Sequence, residues 1–247
     1  MTPYEEQAYM HLQFWQLKMQ KRPSFANNMS KKVQAKMNDM IPEKIHVMIT
    51  AAIEGLIKAA LFGGTYTTAK SPDEDTPLQV REVQVKSRIG FYQKTATVEG
   101  AVTGAGGILL GLADFPLLIG IKLKLLFDIA AIYGCDIKDY KERLYLLYIF
   151  QLAFSSQQRR NEIYRLIQNW QGYSKSLPDD VGDFDWRTFQ QEYRDYIDLA
   201  KLAQLLPVIG AAVGAIANYK LIEQLGDTAM NCYRMRRLSP LQILNQV

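Results

Sequence analysis

The run from Glu99 to Asp136, EGAVTGAGGILLGLADFPLLIGIKLKLLFDIAAIYGCD, constrains the fold more than any other stretch of this chain. Five glycines stand between Gly100 and Gly111 in an apolar sequence, which then turns at Ala113-Asp114-Phe115-Pro116 and continues apolar to Gly134. A glycine inside a helix costs roughly 1 kcal/mol relative to alanine. The usual compensation is close approach of a neighbouring backbone, and the second apolar segment supplies that neighbour. The spacing therefore predicts two close-packed helices. Asp114 is placed to cap the second of them, Pro116 fits its first turn, and Gly134 ends it in the left-handed conformation.

With 247 residues, 48% of them hydrophobic, the chain can bury a large core, and we read residues 1–247 as a single domain. Its net charge of +4 is too small for nucleic-acid binding through bulk charge. The distribution of charge says more. Between His11 and Asn38 lie Lys18, Lys21, Arg22, Lys31, Lys32 and Lys36 with no acid, interleaved with Phe14, Trp15 and Phe25. Two cysteines, Cys135 and Cys232, offer no disulfide framework and point to a reducing compartment. The opening MTPYEEQAYM is acidic where a secretory signal needs bases, so a cytoplasmic location is expected. Residues 101–121 and 202–219 approach the length of a membrane span, but the first contains Asp114 and Pro116 and the second Pro207, Gly210, Gly214 and Asn218. Burial inside a large helical core is the preferred reading of both.

Helical signals recur along the chain. Thr2-Pro3-Tyr4-Glu5 is a capping box opening a helix to about Lys21, with Ala8, Leu12, Trp15 and Met19 on one face. A short basic helix is expected to end near Met40, and Ile45, Ile49, Ile53, Leu56 and Ala60 form a stripe closed by Gly63-Gly64. A polar loop from Thr65 to Pro77 separates this from a long helix entering the glycine-rich centre. Asp139 then opens a Leu/Tyr-rich helix ending near Ser155, and another carries Arg159 to Gly172. After a second polar loop, Asp185 is placed as a cap, Pro207 begins a small-residue helix, and a separate terminal stretch runs from Gly226 to Arg237. No pair of alternating runs suggests a sheet. The expectation is an all-α fold of roughly eight to ten helices with Gly-rich apolar hairpins in its core.

Catalytic signatures are absent from this pattern. His11 and His46 are isolated, and the sequence contains no HExxH, CxxC or GxSxG, so no metal site and no cofactor are expected. Thr103-Gly-Ala-Gly-Gly107 lacks the Lys-Ser/Thr of a phosphate loop and the last glycine of a dinucleotide fingerprint. Ionisable residues in apolar surroundings are the better lead: Glu99, Asp114, Lys122, Lys124 and Asp128, with Lys124 and Asp128 four apart and able to pair. Such charges must pair or shift their pKa. A polar core network is the favoured reading; the alternatives are a lipid-headgroup or small-molecule pocket at Glu99, Asp114, Lys122 and Asp128, or acid/base catalysis there. The basic segment carrying Lys18, Lys21, Arg22, Lys31, Lys32 and Lys36 has two equal readings, a surface for anionic lipid headgroups or an ordinary solvated face.

The segments YEEQAYMHLQFWQ, IPEKIHVMITAAI, ADFPLLIGIKLKLLFDIAAIYGCD, ERLYLLYIFQLAFSS and LPVIGAAVGAIANYKLIEQLGDTAMNCYRMR together resemble the EcsC family over nearly the whole chain. In Gram-positive bacteria a member is encoded beside an ABC transporter ATPase and membrane subunit, in an operon whose loss disturbs protein secretion, competence and intramembrane proteolysis. The resemblance thus implies a non-enzymatic accessory protein, peripheral on the cytoplasmic face of the membrane, with those two subunits as partners. The family offers no catalytic residue to transfer. A lipid- or small-molecule-binding protein, or a hydrolase, is the alternative.

Overall fold

Thr2 opens the first helix as its spacing predicts: its hydroxyl accepts from Glu5 N–H while the Glu5 carboxylate accepts from Thr2 N–H, satisfying two amides that the helix leaves unpaired. This computed structural model describes residues 1–21, 43–62, 69–104, 115–155, 157–185, 187–189 and 211–238. The described helices are α1 (Pro3–Gln20), α2 (Glu43–Phe62), α3 (Leu78–Gly104), α4 (Phe115–Tyr133), α5 (Tyr140–Phe154), α6 (Gln157–Gln168), α7 (Trp170–Ser176) and α8 (Ala211–Arg237). A single 3-10 turn covers Val181–Asp183, and there is no strand among the described residues. The fold is all-α.

The centre is α5. Every residue from Leu144 to Phe154 is buried, as a sequence apolar on all sides requires. Around it stand α8, α2, α6 and α4, the last with its inner face sealed from Leu118 to Tyr133, while α3 packs antiparallel along α8, with Glu82 bonded to Arg234 and Ile89 against Gly226. Trp170 at the head of α7 is wedged among the rings of Tyr145, Tyr148 and Tyr173. Gly134 ends α4 at φ 85°, and the Asp139 carboxylate caps α5 by accepting from Lys141 N–H, both as expected. Asp185 accepts from the N–H and the hydroxyl of Thr188, the bonds of a cap. The short basic helix before Met40, the turn at Asp114 and the helix start at Pro207 lie outside the described residues. No described helix is long and apolar enough to cross a membrane.

The C-terminal part differs from expectation. Instead of a separate stretch from Gly226, one unbroken helix runs from Ala211 to Arg237. The glycine serves packing rather than termination: a Cβ added to Gly226 would stand 2.5 Å from Ile89 Cδ1 and Cγ1 of α3. Gly226→Val is therefore expected to overpack the α3–α8 contact and cost about 1–3 kcal/mol. Thermal unfolding checks this, and an unchanged melting temperature would dismiss the close approach.

Candidate functional site

Four helices meet at one carboxylate. Glu82, fully buried on α3, is the only acid on that helix between Leu78 and Thr97. It accepts from Tyr4 Oη (2.7 Å), Tyr133 Oη (3.0 Å) and Arg234 Nε (2.7 Å), and a short bond from Arg234 Nη2 completes a two-pronged grip. This knot ties α1, α3, α4 and α8 together. Burial by itself would raise the Glu82 pKa, but the Arg234 guanidinium and the two phenols outweigh it and hold the carboxyl below its usual range. The Tyr4 hydroxyl is pushed up to about 12, by burial first and then by the carboxylate it serves.

A second buried carboxylate lies one layer away. Glu142 accepts from Tyr233 Oη at 2.8 Å and from Arg236 Nη1 at 2.9 and 2.7 Å. The Arg236 guanidinium also sits 4.8 Å over the Tyr145 ring, and Tyr133 and Tyr233 stack at 5.0 Å. Beside it, burial first and the Glu142 carboxylate second push the Cys135 thiol up to about 12, so it is protonated and inert at neutral pH. Both carboxylates have their oxygens filled by donors from the protein. Neither faces the groove described below, and a carboxylate so engaged is a structural anchor rather than a proton-transfer group.

Of the residues singled out from the sequence, Asp128 and Lys122 are both fully buried on α4. The predicted four-residue pair forms, with Lys124 Nζ donating to Asp128 Oδ1 at 2.6 Å. Asp128 also accepts from Ala69 N–H and from Tyr92 Oη, each at 2.8 Å, and Arg88 Nε stands 4.0 Å away. Lys122 is six residues from Asp128, so the two side chains leave the helix about 120° apart. Its ammonium donates to Leu118 O at 3.4 Å. The side chain of Glu99, and Asp114 altogether, lie outside the described residues, as do Arg22, Lys31, Lys32 and Lys36. Lys18 and Lys21 are exposed near the end of α1.

A concavity flanks the outward side of α3. Residues 69–76 form its wall, and Val80, Val83, Gln84, Ser87, Arg88 and Phe91 its floor, enclosing about 850 Å³ open to solvent. The wall is fastened at both ends. Ala69 N–H is held by Asp128, while the buried Arg81 donates to Thr76 O (3.1 Å), Asp73 O (2.6 Å), Glu74 O (3.1 Å) and Ile132 O (2.7 Å). The loop therefore runs antiparallel to α3, with Lys70 beside Arg88 and Asp73 beside the helix start.

A further surface was not anticipated. Helix α1 buries Ala8, Leu12, Trp15 and Met19, yet on its opposite side Met10, Phe14 and Leu17 are 54%, 72% and 60% exposed. A helix apolar on two sides has nearly balanced faces, and a search for one stripe finds only the buried one. The signal was present as a second set at four- and three-residue spacing. The chain's Glu82–Arg234 and Glu142–Arg236 pairs had no comparable signal, since each joins helices far apart in sequence.

The EcsC protein family matches residues 6–238. The chain belongs to the EcsC family. It is 47% identical over 224 residues to Protein EcsC of Bacillus subtilis (strain 168), covering 91% of this chain and 92% of that one. It is also 28% identical over 262 residues to Uncharacterized protein YdbA of the same strain, covering 96% and 95%. No solved structure matches the chain. The match to the EcsC family includes α2 to α8 and most of α1, so the groove and the Glu82–Arg234 and Glu142–Arg236 pairs fall within the matched residues, while Tyr4 stands just before them.

Proposed function

We propose that this EcsC-family protein is a non-enzymatic accessory of an ABC transporter system, held peripherally on the cytoplasmic face of the membrane by the outer side of α1. The observation that carries the membrane half is the exposed set Met10, Phe14 and Leu17 with Lys18 and Lys21 at its end, continuing into the acid-free sequence that bears Arg22, Lys31, Lys32 and Lys36. Apolar side chains that enter the headgroup layer and lysines that meet anionic lipid are the two contributions an interfacial helix needs. Each base near the surface adds about 1 kcal/mol. The transporter half rests on family membership, with the ATPase and membrane subunits as partners.

Co-sedimentation with phosphatidylglycerol-containing vesicles tests the first half. Wild type is expected to bind at low salt and release at high salt, and Phe14→Asp should weaken binding more than tenfold. Reversing Lys18 and Lys21 to Glu should make binding to anionic vesicles weaker at low salt. A wild-type protein that ignores anionic vesicles at low salt overturns the membrane half. Affinity purification from the native host tests the other: absence of both transporter subunits overturns it.

A further inference from the structure

The outer side of α1 and the groove along α3 are two uncovered surfaces of one chain, and they match each other. Along α1 the outward positions read Glu6, Met10, Phe14, Leu17, Lys21, an acid at one end, a base at the other and apolar residues between. The groove reads in the opposite sense, with Lys70 and Arg88 at one end, Asp73 at the other, and Val80, Val83 and Phe91 along the floor. Lengths agree as well. Glu6 and Lys21 are 15 residues apart, about 22 Å on a helix, while Val80 and Phe91 span 11, about 16 Å, with Asp73 beyond the first and Lys70 beside the second.

We infer that the groove takes the α1 helix of a second copy of this chain, running antiparallel to α3. Phe14 then lies on Val83 and Ser87, Glu6 faces Lys70 and Arg88, and Lys21 faces Asp73. Three observations select this occupant over a loose apolar ligand. The groove is open, so it covers one side of a helix but cannot enclose a small molecule, which needs most of its surface buried. Its wall is preformed by four hydrogen bonds, so docking does not have to order the loop. Its charge is polarised along its axis in the sense opposite to α1, which fixes direction as well as affinity. The contact joins different surfaces on the two copies, so it closes into a dimer if made twice about a two-fold axis and extends into longer chains otherwise. This pairing uses the same face of α1 as the proposed membrane contact, and the two states exclude each other: the self-associated form shields the helix that the bilayer takes up.

Sedimentation equilibrium of the full chain without lipid, up to about 100 µM, reads the pairing. Wild type is expected to self-associate, while Phe14→Asp on α1 and Val83→Glu in the groove each weaken association by about thirtyfold or more. Both positions are exposed, and matching circular dichroism and melting temperature show that the variants fold. Mixing the two variants restores a complex, because each retains the half that the other lacks. Glu6→Lys and Lys70→Glu each weaken association and together restore it. A monomeric wild type, self-association untouched by both Phe14→Asp and Val83→Glu, or a mixture that stays monomeric overturns the inference. Val83→Glu also separates this inference from the membrane reading, since it leaves α1 intact. Vesicle binding by a wild type that stays monomeric removes only the pairing, and pairing by a wild type that ignores vesicles removes only the membrane contact.

Discussion

Glu82→Gln is expected to destabilise the protein by about 3–5 kcal/mol at pH 7, because it removes the negative partner and leaves the buried Arg234 guanidinium uncompensated. An amide retains one acceptor oxygen, and its NH2 confronts the two donors of the oxygen it replaces, one tyrosine hydroxyl and one prong of Arg234 whichever way the amide turns. Tyr4→Phe, which removes one of four donors, should cost only about 1 kcal/mol. Replacing the pair together, Glu82→Leu with Arg234→Met, should cost less than Glu82→Gln alone, since no buried charge then remains. The effect also has a direction in pH. The folded Glu82 pKa lies below its ordinary value, so its stabilisation is complete above the usual glutamate range near 4.3 and is lost as pH falls through the lowered folded value. The gap between wild type and Glu82→Gln should therefore be constant from pH 7 to about 5 and close in stronger acid, where the native side chain is itself neutral. Urea titrations across that range measure it. A gap below about 1 kcal/mol at pH 7, or one unaffected by acid, would show that the knot does not hold the four helices.

What the sequence revealed and what it hid divide along contact range. The capping box at Thr2, the Asp139 cap, the left-handed Gly134 and the Lys124–Asp128 pair all involve residues within a turn or two of one another, and each stands where the spacing put it. Glu82 and Arg234 are 152 residues apart, and Glu142 and Arg236 are 94 apart. Helical periodicity tells which side of a helix is apolar but not which helix covers it, so these partners could not be matched from pattern alone. Gly226 shows the same limit in a single residue. Read locally, a glycine after a polar stretch separates segments; in the fold it is where α8 lets Ile89 in, and the helix continues. Lys122 and Asp128 were grouped because they share an apolar segment, yet they leave α4 on different faces, and it is Asp128 that reaches the groove wall. The second apolar side of α1 was legible and overlooked, because two opposed stripes cancel in any measure of one-sidedness.

Arg81→Met is expected to cost about 3 kcal/mol and to loosen one loop more than the rest of the molecule. Arg81 is 2% exposed and has no carboxylate among its bonds; its donors go to four backbone carbonyls, three in the loop at Asp73, Glu74 and Thr76 and one at Ile132 near the end of α4. Burial and the nearby Arg237 lower its pKa, yet an arginine keeps its proton, so the buried charge is stabilised by carbonyl dipoles and by the negative end of α4. Methionine fills much of the same volume and supplies no donor. It relieves the desolvation of the charge but takes a charged donor from four carbonyls, of which Asp73 O alone keeps a bond, from Thr76 N–H, and the second effect wins because bonds from a charged donor contribute about 1.5–3 kcal/mol each. Arg81→Lys should recover less than half of the loss, since one ammonium cannot reach acceptors that the fork spreads in several directions. Because Asp128 still holds Ala69, the opening should be confined to residues 73–76, seen as faster hydrogen exchange at the Thr76 amide, which bonds to Asp73 O at 3.0 Å. Such a variant keeps α1 and the floor of α3 unchanged while the acidic end of the groove wanders, so its self-association should weaken although neither apolar surface has been altered. Exchange at Thr76 and a melting temperature both equal to wild type would mean that the loop is held by its prolines and turn alone, with Arg81 adding nothing.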